Sequence, residues 1–180
     1  MKNANVLGAV APGFDQPLDV LLACHGRFEK QCATLEKLLV HLPEHGSDAE
    51  VQQAARAILN YFDTAAVHHH DDEERNLFPL LEQAGSGEWC ELVGLLTSEH
   101  DDLAQLWRAL RPPLQAIAQG ETVTLNVIHA ERFIALNRSH IAFENERVLP
   151  LARQILSAAA LQSLGRAMAA RRGVAYPPTP

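Results

Sequence analysis

The chain has 180 residues and a formal net charge of −7, a length that suits one compact domain with a short appendage and excludes two large ones. Hydrophobic residues make up 47% and charged residues 21%, enough apolar surface for a core without staples, which excludes disorder as the main state. The acidic balance argues against nucleic acid or an anionic membrane as the principal partner, and no apolar run reaches the ~20 residues of a membrane helix. Cys24, Cys32 and Cys90 are odd in number and lack CxxC spacing, so the expected compartment is a reducing cytoplasm. Nine histidines are the one departure from an ordinary composition.

Residues 1–16 read as a flexible leader, with one lysine, a short apolar run broken at Pro12-Gly13 and no secretory signal. From Pro17, the positions Leu21, His25, Phe28, Cys32, Leu35, Leu39 and Leu42 recur at steps of three and four, the mark of an amphipathic helix that should stop at Pro43. Ser47 or Asp48 then caps a second helix over 49–82, with Ile58, Phe62, Ala65, His69, Glu73 and Leu80 on one stripe and a bend or end at Pro79. Gly85-Ser86-Gly87 breaks the chain. Leu92, Leu96, His100, Leu103, Trp107, Leu110 and Leu114 mark a third helix, disturbed at Pro112-Pro113 and closed by Gly120. A fourth, over about 122–157, turns Phe133, Leu136, His140, Phe143, Glu144 and Leu151 inward. Residues 158–180 hold a shorter amphipathic helix with a basic end at Arg171-Arg172, then a frayed tail. No stretch alternates with the period of a strand. The predicted fold is all-α: an up-down-up-down antiparallel four-helix bundle over 17–157 with a short C-terminal helix docked on it.

Helices two and four resemble each other when aligned on Pro79 and Pro150. Phe62 then matches Phe133, His69 matches His140, Glu73 matches Glu144 and Leu77 matches Val148, so both carry F-x6-H-x3-E-x5-P. Residues four apart share a helix face, and each His/Glu pair lies on its apolar stripe. Burying such groups costs several kcal/mol unless something compensates them, and a bound cation does so directly. His25 and His100 add one inward histidine from each remaining helix. Four histidines, two glutamates and no thiolate form a nitrogen–oxygen donor set suited to iron, manganese or zinc, and two facing clusters point most to a non-haem di-iron centre.

Other assignments are less decided. His70 and Glu74 repeat the spacing of His69 and Glu73; the helical wheel and the repeat favour His69/Glu73 as ligands, leaving His70 and Glu74 as alternative ligands or outer supports. His68, Asp71 and Asp72 read as a solvated face. His129 aligns with Ile58 and should face inward as a structural histidine, while His41 and His45 sit at a helix end where a dipole contact or exposure is expected. Cys32 should pack in the core and Cys24 should point elsewhere.

With these residues in view, HHHDDEERNLFPLL at 68–81 and HIAFENERVLPLA at 140–152 resemble the hemerythrin-like family with HHE cation-binding domains, across about 17–157. The resemblance implies a four-helix bundle holding a non-haem di-iron centre, with His25, His69, Glu73, His100, His140 and Glu144 at the ligand positions and the two glutamates bridging. Oxygen-carrying members have H-x3-H on the third helix, whereas the residue four after His100 is Ala104, and Glu144 is the fourth residue after His140 rather than the fifth. The set more closely resembles domains used for iron and oxygen sensing, nitric-oxide or peroxide responses, or iron-cluster repair; repair proteins usually carry a cysteine-bearing N-terminal module that the first sixteen residues lack. The expected function is therefore a cytoplasmic di-iron protein meeting dioxygen, nitric oxide or peroxide, with Zn or Mn as other metals, a homo-oligomer as a possible state, and no nucleic-acid or membrane partner. The competing functions are ferroxidase- or peroxidase-like turnover, and a metal-stabilised module whose Arg171-Arg172 end engages a protein.

Overall fold

The structure, a computed structural model, describes residues 11–84 and 87–176, without the side chains of Glu88 and Cys90. Most of the expected leader and the frayed tail at 177–180 lie outside the described residues. Every described element is helical, and no described helix is long and apolar enough to cross a membrane.

The first helix, Pro17–His45, starts on a proline at its first turn, where the missing N–H costs nothing. It runs two residues past the expected stop, since Pro43 sits in the last turn, and Gly46 closes it at φ 65°, its N–H bonded to the Leu42 carbonyl. Asp48 caps the second helix, accepting from the Val51 N–H at 2.8 Å. That helix extends to Ala84 as three α segments, Ala49–Asn60, Ala66–Asp72 and Phe78–Ala84, joined by π turns at Tyr61–Ala65 and Glu73–Leu77. The third helix, Gly87–Ala118, continues through Pro112 and Pro113 rather than breaking there. The fourth starts later than expected, at Val127 behind the Asn126 cap, and comprises Val127–Phe143, a π turn Glu144–Val148 and Leu149–Ile155. Ser157 caps a fifth helix, Ala158–Arg171.

The π turns account for the main differences from the expected helical wheel. Glu73–Leu77 and Glu144–Val148 occupy matching places in the sequence repeat, and each ends just before its proline. A proline lacks an N–H, and its ring collides with the carbonyl four residues back. A π turn relieves both by inserting one residue into the helical ladder. Each insertion rotates everything beyond it by ~100° relative to an unbroken helix, so Leu77 and Leu81 are buried while Leu80 is only half-buried. The second helix carries an additional π turn at Tyr61–Ala65 that the fourth lacks. Upstream of it the repeat is one residue out of register: His129 is exposed, not inward, and its neighbour Ala130 takes the buried place.

The four long helices pack in a ring, first on second, second on third, third on fourth and fourth on first, with a smaller contact between the second and fourth, while the fifth rests on the first and second. Their inward faces form two apolar clusters. One contains Phe28, Leu35, Ile58, Phe62, Leu110 and Phe133; the other contains Leu21, Leu77, Phe78, Leu96, Leu149 and Met168. At the junction of the two clusters, on every long helix, come the buried polar groups His25, His69, Glu73, His100, His140 and Glu144.

Asp72, expected on a solvated face, is fully buried. Arg171 and Arg172 at the end of the fifth helix both bond its carboxylate, so the basic end is engaged within the chain. Cys32 is in the core as expected, and burial pushes its thiol up to about 12. Cys24 is buried too, its sulfur accepting from Arg27.

Two measurements test this description. Phe133 meets Phe62 edge-to-face at 4.9 Å between centroids and is 2% exposed; Phe133→Ala should cost about 3–5 kcal/mol in denaturant unfolding. His41 lies 2.9 Å from the Asp48 carboxylate, a hydrogen bond that raises its pKa. The charged imidazole is thus favoured, so its NMR titration midpoint should fall toward the ordinary histidine value in Asp48→Asn, which keeps a capping side chain.

Candidate metal centre

The six inward groups converge into two overlapping clusters. His25, His69, Glu73 and Glu144 form one, Glu73, His100, His140 and Glu144 the other, and within each the ligand-type atoms lie within 4.8 Å of one another. Each glutamate divides its oxygens between the two. Glu73 places Oε1 3.1 Å from His69 Nε2 and Oε2 3.5 Å from His100 Nε2. Glu144 places Oε2 3.2 Å from His25 Nε2 and Oε1 3.4 Å from His140 Nε2. The imidazoles meet in pairs, His25 with His69 at 3.2 Å and His100 with His140 at 2.9 Å between Nε2 atoms.

These approaches are short, yet none of the four carboxylate oxygens, all buried, has a hydrogen-bond partner. The neighbouring nitrogens are close without lying along hydrogen-bonding directions. The reason is the orientation of the rings. His25 Nδ1 bonds the Asn145 Oδ1 at 2.6 Å, His100 Nδ1 the Glu74 Oε1 at 2.7 Å and His140 Nδ1 the Glu99 Oε2 at 2.7 Å. Carboxylate and amide oxygens only accept, so each Nδ1 carries a proton, and whenever the ring is neutral its Nε2 lone pair is turned inward. The imidazoles can share protons only with each other, and the four carboxylate oxygens face them unpartnered across a buried space, an arrangement that a cation satisfies.

The titration behaviour follows from the same crowding. Burial, then His25, holds His69 far below the ordinary imidazole range, and burial with His70 and His140 takes His100 down to about 2. Burial and the facing Glu144 carboxylate push Glu73 well above the carboxyl range. Burial disfavours charge on Glu144 as well, but His140 and His25 outweigh it and hold Glu144 well below that range. Burial also works against charge on His140, and Glu144 and Glu99 overcome it. Without a cation, protons must do the neutralising.

All six residues expected as ligands are therefore brought together. His70 and Glu74 are not in either cluster. His70 stacks on His100 with centroids 4.1 Å apart and on Phe28 at 5.8 Å, while the exposed Glu74 reaches over to orient His100. The sequence reading missed Asn145 and Glu99. Both belong to a regular pattern: each outer acceptor is the sequence neighbour of one inward residue and holds the histidine of the next helix. Glu74 follows Glu73 and holds the third helix; Glu99 precedes His100 and holds the fourth; Asn145 follows Glu144 and holds the first. A neighbour is rotated by 100° from the inward stripe, which aims it at the adjacent helix. Cys24, which precedes His25, occupies the place that would complete the circuit, but His69 Nδ1 is buried with no hydrogen-bond partner.

A pocket of about 90 Å³ adjoins this layer, lined among others by His70, Ala104, Trp107, Phe133 and Asn137. Ala104, where the oxygen carriers have a histidine, is part of its wall.

Comparison with known proteins agrees with this geometry. A relative from Haemophilus influenzae, described as an uncharacterized protein, is 34% identical over 161 residues, covering 89% of this chain and 92% of the relative. Residues 16–152 match the family described as Hemerythrin HHE cation binding domain, and with that match spanning the whole layer of converging histidines and glutamates, the chain belongs to the hemerythrin HHE family.

Proposed function

We propose that this protein holds a non-haem di-iron centre that binds or senses a small ligand, namely dioxygen, nitric oxide or peroxide, or handles iron. The observation that carries the reading is the shared pair of glutamates: both carboxylates belong to both clusters, and all four of their oxygens are buried without hydrogen bonds. Each cluster offers two imidazole nitrogens and one oxygen from each carboxylate. An all-nitrogen-and-oxygen set of this kind suits iron, with manganese and zinc the other candidates. Four protein donors per position is fewer than an octahedral site needs, which leaves room for a small ligand. Bound iron would supply one-electron chemistry and the open coordination position; the chain supplies imidazole and carboxylate donors, fixes the orientation of three of the rings and excludes water.

The pocket beside the centre supports a small ligand over an organic substrate, since about 90 Å³ accommodates a diatomic molecule or peroxide but is far below the 300–1,000 Å³ of ordinary ligand sites. The antiparallel up-down-up-down order of the four long helices belongs to the same reading, supported by their cyclic packing. So does a cytoplasmic location, supported by the free thiols of Cys24 and Cys32.

Loading with ferrous iron under argon, then metal analysis and near-ultraviolet spectroscopy after exposure to air, tests the centre. Two irons per chain are expected, one per cluster, with both lost or strongly weakened in Glu73→Ala. A Glu73→Ala protein that retains as much iron as wild type overturns the assignment. The same preparation separates sensing from turnover: a stoichiometric reaction with peroxide supports binding or sensing, and sustained consumption indicates an enzyme.

A further inference from the structure

The second helix brings two ligands to the centre, and one of them, His69, lacks the outer hydrogen bond that anchors the other three histidines. Its companion Glu73 begins a π turn, a rare backbone form that is frequent at functional sites. Beyond the effect of Pro79, this turn is contacted from outside the four long helices. Arg171 Nη1 and Arg172 Nη2 bond the two oxygens of the fully buried Asp72, the latter at 2.7 Å. Arg171 Nη2 donates to Asn76 Oδ1 at 2.8 Å. Asp72 and Asn76 are four apart and bracket Glu73, so one guanidinium spans the turn from its back. The Phe14 ring lies 5.5 Å from the Arg172 guanidinium, and Gly165 of the same helix carries no Cβ, which would collide with the Phe14 carbonyl oxygen.

The repeat supplies an internal control. In the fourth helix, Phe143 stands where the second has Asp72, and Arg147 stands where it has Asn76. The π turn there is backed by apolar packing of Phe143 and Val148 and has no such clamp. The fifth helix, moreover, lies beyond residue 152, where the family match ends.

We propose that Arg171 and Arg172 are positioning residues for the metal centre: through Asp72 and Asn76 they hold the π turn that aims Glu73 and the helix that carries His69, and their charge offsets that of the carboxylate beside Glu73. The inference rests on the metal-binding reading for its consequence but not for the hold on the turn. A buried Asp72 deprived of both guanidiniums would draw in water or move, and Glu73 would move with it.

Cobalt(II) is the probe, because its visible absorption reports ligand geometry. Arg171→Ala/Arg172→Ala should bind cobalt about 10-fold or more weakly, as loss of outer supports does elsewhere, with altered visible bands. In the metal-free double variant, amide exchange at residues 73–77 should accelerate by about tenfold or more. Met168→Ala removes core packing from the same helix and should lower the melting temperature while leaving the cobalt bands as in wild type. Cobalt affinity within about twofold of wild type together with unaltered exchange at 73–77 overturns the proposal, as does a Met168→Ala protein with equally altered bands. If the double variant does not fold, Asn76→Ala, which strips one contact from Arg171 and strands no carboxylate, should show the same changes at smaller size; unchanged bands and exchange there also overturn it. A wild-type protein that takes up neither cobalt nor iron refutes the metal centre, and the exchange measurement then decides the clamp alone.

Discussion

Two carboxylates face one another in the middle of this fold with no hydrogen bond to either, and much of the surrounding structure can be understood as a response to that. Isolated, each ionised group would cost several kcal/mol to bury. Among the described residues, no arginine or lysine pairs with either carboxylate. The chain surrounds the pair with imidazoles instead and orients three of the four from behind. The result is a site with too many acceptors and too few donors, held open by two apolar clusters that are rigid for the usual reason that cores are close-packed.

That arrangement explains the placement of the outer acceptors. An imidazole can present a bare nitrogen inward only if its proton is held outward. Glu74, Glu99 and Asn145 do this for three of the four rings, each reaching across to the next helix. The same bonds therefore tie the helices together and fix the tautomers. Packing and chemistry are not separable here: losing Glu99 would free His140 to rotate and loosen the contact between the third and fourth helices at once.

Much of this was legible in the sequence. The steps of three and four that place His25 and His100 on apolar stripes, and the matched His/Glu spacing of helices two and four, led to the six residues that converge. What could not be read were the departures from a constant 100° per residue. His129 was misplaced because the π turn at Tyr61–Ala65 inserts a residue that a helical wheel does not count. Asp72 was misplaced for a different reason: its neighbours in sequence are polar, and the two arginines that bury it come from about a hundred residues away. Periodicity sees which side of one helix is apolar. It does not see a charge neutralised by another element.

The two halves of the centre are alike inside and unlike outside. Each has two imidazoles and shares both glutamates, as the repeat requires. Behind them, His100 and His140 are backed by the carboxylates Glu74 and Glu99, which increase the donor strength of the rings they hold. His25 is backed by the neutral amide of Asn145, and His69 by nothing. A cation in the His25/His69 half would therefore meet weaker and less firmly held donors than one in the other half. The contacts of Arg171 and Arg172 fall on the helix that carries the unanchored His69 and on the turn of Glu73, the carboxylate both halves share. The asymmetry a two-site centre needs if its ions are to behave differently thus comes from groups behind the ligands, not from the ligands themselves.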